Sequence, residues 1–267
     1  MGKIDDRKCL TIIVEVVVIY LVVFALGAMA LMPALTAATE MSAGSVTVIS
    51  SLAVDAILIV VFLFLFKDLD PFGGKPGISL RHEAPFIVAG LVDFLLLGIL
   101  TGTILAGLMP ENYSEYSSAF GLGTGHMGII EILWLVVAAP VAEEIMCRGV
   151  VFKAVRSGHG FWLAAIISSL LWAVIHMDLI QGISTFILGL LLALLMEKFG
   201  SLWVCIGAHM LNNVIAILPS DVFTLPNELK YRVIMAVAVT VVVLALTWAL
   251  AVHKTDAPDR DAGISII

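Results

Sequence analysis

Apolar residues fill this chain in eight long blocks, at approximately 9–32, 45–66, 84–108, 128–152, 161–178, 181–197, 201–218 and 232–252, with short polar stretches between them. A helix needs about 20 consecutive apolar residues to cross the hydrocarbon of a bilayer, and each block is near that length. The blocks are continuously apolar rather than alternating, which excludes the strands of an outer-membrane barrel. Backbone in lipid has no water to bond with, so helix is the remaining conformation. The expected fold is all-α, a polytopic transmembrane bundle of about eight helices forming a single domain over 1–267, with a polar tail at 253–267.

The connectors add a direction. Lys3, Arg7 and Lys8 precede the first block, Lys67, Lys75 and Arg81 lie between the second and third, and Lys153 and Arg156 between the fourth and fifth. Lys198 lies between the sixth and seventh, and Lys254 and Arg260 follow the eighth. With eight crossings all of these fall on one side, whereas 33–44 and 109–127 contain no Lys or Arg. Only Lys230 and Arg232 disagree. The positive-inside rule then sets both termini in the cytoplasm.

Segment 67–83 has the Pro, Gly and charge density of a surface loop. Segment 109–127 reads as a polar external loop whose glycines argue against a regular long helix. The first block is longer than the usual ~7–15-residue apolar core of a signal peptide and is followed by others like it, so it reads as a retained helix. No internal repeat suggests two inverted transporter halves.

Composition agrees with the blocks. Of 267 residues 61% are hydrophobic and 13% charged, with mean hydropathy +1.11, leaving too little polar surface for a water-soluble globule. The net charge of -7 is spread over loops and tails, and no basic cluster suited to nucleic acid or anionic lipid occurs. Cys9, Cys147 and Cys205 lack a CxxC pairing and read as small core residues.

Ionisable residues inside apolar blocks carry the information, because one at a helix centre costs ~2.5–3.5 kcal/mol to insert. Glu15, Asp55, Asp93 and Glu131 occur singly and read as carboxylates bonded within the bundle or near its edge. The fourth block is different: Glu143 and Glu144 are adjacent, and Arg148 follows Glu144 by four residues, on the same helix face. Glu143 is turned away by about 100° and has no local cation. The fifth block stacks Trp172 and His176 one turn apart, and the seventh stacks His209 and Asn213 in the same way. Glycines 149, 182, 189, 200 and 207 allow close helix approach or breaks near the site, Gly207 beside Ala208 above all, since it leaves room against the helix bearing His209.

These groups suit the activation of water. Glu143 with His176 can take a proton from a water held between them. His209 and Asn213 can offer N–H donors to the oxyanion that a peptide carbonyl becomes under attack. Arg148 would neutralise and orient Glu144. Zinc is a rival use of two His and one Glu, although the chain has no HExxH.

With these residues in view, the chain resembles the CPBP family, the CAAX protease and bacteriocin-processing enzymes, also called Abi or Rce1-type intramembrane proteases. The EExxxR motif stands as Glu143 to Arg148, the FxxxH motif as Trp172 to His176 with Trp for Phe, and the HxxxN motif as His209 to Asn213. The resembling region spans about 130–217. The resemblance implies a glutamate-type, metal-independent endopeptidase needing no cofactor. Glu143 and His176 then look like the water-activating pair, and His209 and Asn213 like the oxyanion pair. Glu144, Arg148 and Trp172 look supporting.

Its implied partner is a membrane-associated protein or peptide, prenylated if the processing is of the CAAX type, and its implied location is the plasma membrane of a prokaryote. A non-enzymatic immunity or assembly protein on the same scaffold, a proton-using transporter and a zinc metalloprotease remain the alternatives. Counting along the blocks leaves one tension. Glu143 falls toward the cytoplasmic end of its helix and His176 toward the outer end of the next, unless 176–182 is a break inside the membrane.

Overall fold

The computed structural model describes residues 4–74, 79, 81–119, 127–218 and 229–254. They form nine helices, with no strand among the described residues. These are α1 (Asp6–Ala38), α2 (Ala43–Leu65), α3 (Ala84–Leu108), α4 (Pro110–Ala119), α5 (129–158), α6 (Phe161–Ile175), α7 (Leu179–Phe199), α8 (Leu202–Ile217) and α9 (Leu229–Val252). Eight of them coincide with the eight apolar blocks. By length and composition five are long and apolar enough to cross a membrane: α1, α2, α3, α7 and α9. The expected tail from 255 onward lies outside the described residues.

The ends of the helices follow local chemistry. Ser42 caps α2 by accepting from the Ser45 N–H, and Asp178 caps α7 by accepting from the Gln181 N–H. Gly200 ends α7 in the left-handed conformation, φ 58°, which costs glycine no Cβ clash. The segment 109–127 differs from the expected loop, because its first part is helix α4. Pro110 stands at the first helical position, where its missing N–H is no loss. The glycines that argued against helix, 121–125, lie outside the described residues.

The core of the bundle runs along α7 and the middle of α5. In α7, 56% of the apolar window is buried, against 11% to 28% in the other four long helices, and in α5 every residue of Ile145–Phe152 is buried. Large apolar side chains on the outer faces, such as Phe64, Leu108 and Trp248, are exposed, as contact with lipid tails requires. Gly189 lets α7 approach its neighbours. A Cβ there would lie 2.7 Å from Ser169 Oγ on α6 and 3.0 Å from Arg148 Nη2 on α5. Gly207 plays no such part, since a Cβ at that position meets nothing within 4 Å.

Polar groups tie one end of the bundle together. Lys153 Nζ donates to the carbonyls of Asp70, Pro71 and Gly73, joining the end of α5 to the loop after α2. Arg156 pairs with Glu197 through two nitrogens, and Lys198 Nζ donates to the carbonyls of Ala251 and His253 at the end of α9. Glu83, before α3, bonds the His253 imidazole. Lys153, Arg156 and Lys198 therefore gather at one end of the bundle.

The tension over Glu143 and His176 is resolved by two shifted boundaries. Helix α5 continues to 158 rather than 152, because Lys153 and Arg156 find acceptors at the bundle's end and need not leave the helix. Helix α6 stops at Ile175. Met177 then takes a left-handed φ of 51°, and Asp178 already caps α7. At 1.5 Å per residue α6 spans about 22 Å, short of a ~30 Å hydrocarbon core. Glu143 stands fifteen residues before Gly158 and His176 fifteen after Phe161, so the antiparallel α5–α6 pair brings them to one level.

Candidate active site

Helix α5 is not uniform, and its irregularities fall around the site. It is wound as π-helix over Trp134–Ala138 and again over Ile145–Phe152, on either side of Glu143 and Glu144. Such wide turns are rare and concentrate at functional positions. Pro140 follows the first of them; it lacks an N–H and its ring would clash with a carbonyl one turn back. In the wide turn the Ala139 N–H reaches Trp134 O, and the next donor in that register belongs to Pro140 and does not exist. Leu135 O is thereby left without a backbone partner, and Asn213 Nδ2 donates to it at 2.8 Å. A proline on α5 thus fixes an amide on α8.

The two adjacent glutamates meet different surroundings. Glu144 is fully buried and pairs with Arg148, also fully buried, at 3.1 Å. Neither side chain reaches water at the helix end. Arg148 Nη2 donates to Gly189 O at 3.1 Å, and its guanidinium lies 4.6 Å from the centre of the Trp172 ring. Glu144 Oε1 also meets His209 Nδ1 at 3.1 Å. A carboxylate paired with arginine is an acceptor, so His209 Nδ1 carries a proton and donates it.

Glu143 is 20% exposed and faces a cavity of about 380 Å³. Its Oε2 accepts from Trp172 Nε1 at 2.6 Å. His176 Nε2 lies 3.9 Å from Oε1 and His209 Nε2 lies 3.9 Å from Oε2. Both separations exceed a direct hydrogen bond. His176 Nδ1 is 2.6 Å from Trp172 O, and a carbonyl can only accept, so this nitrogen too is the protonated one. Each imidazole is therefore held by its Nδ1 with Nε2 turned to Glu143.

All seven residues singled out from the sequence are brought together, and Glu143, Trp172, His176, His209 and Asn213 line the same cavity. Trp172 has a larger part than filling the place of a Phe. Its N–H holds Glu143, its ring lies edge-on to both imidazoles at 4.9 and 6.0 Å, and it is 1% exposed. Trp172→Phe keeps most of the volume and removes one bond to a charged group, worth roughly 1.5–3 kcal/mol. Turnover of any substrate this cavity processes is expected to fall about 10- to 100-fold, with the melting temperature lowered by several degrees because the same bond stabilises the fold. An unaltered rate in steady-state assays would mean that Glu143 needs no such anchor.

The isolated acids separate into kinds. Asp55 Oδ2 accepts from Trp134 Nε1 at 3.0 Å and lines the cavity, a contribution that no local motif announces. Asp93 accepts from Thr247 at 2.7 Å between α3 and α9. Glu131 accepts from the Gly128 N–H at 2.6 Å at the start of α5. Glu15 departs from the expectation of a bonded carboxylate, being exposed on α1 and without a hydrogen bond among the described residues. Cys9, Cys147 and Cys205 are free and buried, as small core residues should be.

For zinc, bonds of about 2.0–2.2 Å set neighbouring ligand atoms of a tetrahedron near 3.3–3.5 Å. The 3.9 Å gaps around Glu143 are wider. Among the described residues no group of three or more His, Cys, Asp or Glu gathers at metal-binding range.

Comparison with known proteins bears on the same segment. Residues 125–215 match the family model described as "Type II CAAX prenyl endopeptidase Rce1-like". Among curated proteins, "Putative membrane peptidase YdiL" of Bacillus subtilis (strain 168) is 25% identical over 183 residues, covering 64% of this chain and 70% of that protein. No solved structure matches. The matched segment 125–215 holds all three polar motifs, so the site lies in the part of the chain that is similar to the Rce1-like family.

Proposed function

We propose that this chain is an intramembrane endopeptidase that hydrolyses a peptide bond in a membrane-associated protein or peptide. The observation that carries the reading is Glu143 in a cavity with the Nε2 atoms of both His176 and His209 3.9 Å away. A water beside that gap can be held by the Glu143 carboxylate and by His176 Nε2, whose lone pair is free to accept. Either base can take its proton as the oxygen attacks a carbonyl carbon. The match to a prenyl endopeptidase family and the likeness to a membrane peptidase support a membrane-associated substrate, and CAAX-type processing is the specific version of it.

His209 and Asn213 form the oxyanion site in this reading. Since His209 Nδ1 donates to Glu144, its Nε2, 3.9 Å from Glu143 Oε2, is the nitrogen that faces the oxyanion, and it donates in the doubly protonated ring. Asn213 spends one amide N–H on Leu135 O and keeps the other. Glu144 and Arg148 orient His209 without touching substrate. Eight crossings with both termini in the cytoplasm complete the reading, α6 and α8 being shorter apolar helices than the other crossings.

His209→Ala and Asn213→Ala are each expected to lower turnover by roughly 2.7–4 kcal/mol, about 10²- to 10³-fold, with little change in substrate capture. Equal turnover in stopped-time assays would remove the oxyanion role. The wider test compares membrane peptides of cells carrying the wild-type chain with those carrying Glu143→Gln. Uncleaved precursors should accumulate in the variant, and identical peptide sets would overturn the peptidase. Loss of activity to a chelator and its return with zinc would favour the metal enzyme instead.

A further inference from the structure

Helix α2 contributes a stripe to the cavity wall: Thr47, Ser51 and Asp55, one turn apart from each other, with Leu58 and Phe62 continuing it. Asp55 is its acidic member. Trp134 on α5 donates to its Oδ2 at 3.0 Å, which fixes the carboxyl group, while Oδ1 makes no hydrogen bond among the described residues. Trp134 is a neutral donor and supplies no counter-charge. The cavity lining among the described residues includes two carboxylates, Asp55 and Glu143, and no Lys or Arg. The Arg148 guanidinium is fully buried, does not line the cavity and is committed to Glu144 and Gly189.

A carboxylate retained inside an apolar bundle is costly unless a partner satisfies it. Glu143 has a chemical use in the proposed reaction. Asp55 has none in that reaction, and it lines the cavity that a substrate would occupy. We infer that Asp55 is a specificity-determining residue that receives the ammonium or guanidinium of a Lys or Arg side chain in the peptide substrate. The inference rests on the peptidase reading and narrows its substrate class. A charge-assisted bond in a largely apolar cavity is strong because little water competes.

The test uses the full chain in liposomes and a set of apolar peptides, amidated at the C-terminus and identical except for one residue. That residue is Lys, norleucine or Glu, moved through each position. The wild type is expected to cleave a Lys peptide at least about tenfold better, in kcat/KM, than its norleucine twin at one position or more. In Asp55→Asn that ratio should fall to near one, and in Asp55→Lys the preference should pass to the Glu peptide. Trp134→Phe, which removes the anchor and keeps the charge, should still favour Lys.

A wild-type ratio near one at every position, or an unchanged ratio in Asp55→Asn, overturns the role of Asp55. Competition binding to Glu143→Gln separates the two readings. Lys-selective binding that Asp55 controls, without any cleavage by the wild type, would sink the peptidase and keep the recognition. Cleavage without selectivity would sink the recognition alone.

Discussion

Glu143→Gln should reduce hydrolysis about 10²- to 10⁴-fold in reconstituted protein, the range a positioned general base supplies. The change is informative because it spares the architecture. A glutamine amide oxygen can accept the Trp172 N–H that now bonds Glu143 Oε2, so the side chain keeps its place and loses only its capacity to take a proton. His176→Ala is expected to have an effect of similar size. If the two residues act on one water, the double variant should be hardly worse than the poorer single, since parts of one catalytic unit do not add. Full activity in either single variant would remove the pair, and strictly multiplicative losses would mean that they act at separate steps.

Arg148→Met should be the most damaging change to stability. It leaves the Glu144 carboxylate fully buried with only the His209 N–H, and breaking one half of a buried ion pair costs about 3–5 kcal/mol. The margin is narrow because Glu144 Oε2 and Arg148 Nε are already buried without a partner among the described residues. Replacing both members, as Arg148→Met with Glu144→Leu, should recover much of the loss in thermal unfolding. It should not recover activity, because His209 Nδ1 would have lost its acceptor. A melting temperature unmoved by Arg148→Met would contradict a load on this pair, and a fully active double variant would contradict the orientation of His209 by Glu144.

Much of this was readable from the chain, for definite reasons. Eight apolar blocks became helices because lipid leaves few other conformations. The spacing of Glu144 and Arg148 fixed their pairing because four residues make one turn. The levels of Glu143 and His176 were harder to read. They depend on where α5 and α6 end, and those ends are set by distant partners: Glu197 for Arg156, the 70–73 carbonyls for Lys153, and the Asp178 cap for α7. Asp55 was visible as an acid in an apolar run, but 88 positions separate it from Glu143, and no spacing rule connects them. Its meaning came only with the bond to Trp134 and the shared cavity.

Substituting Trp for Phe at 172 looked like an exchange of similar volumes. The indole N–H made it an exchange of chemistry, as its bond to Glu143 demonstrates. The π-helical turns of α5 had a sequence trace in Pro140, although a proline alone could as well have produced a kink.

Pro140 carries one more implication, for anyone who would make this protein sturdier. Removing a mid-helix proline is an ordinary route to a more robust helix, because the restored N–H can reclaim an idle carbonyl. Here the carbonyl is Leu135 O, and it is not idle: it tethers Asn213. Robustness and reactivity compete for a single oxygen atom, so a helix tightened at this point would leave a looser amide facing the cavity.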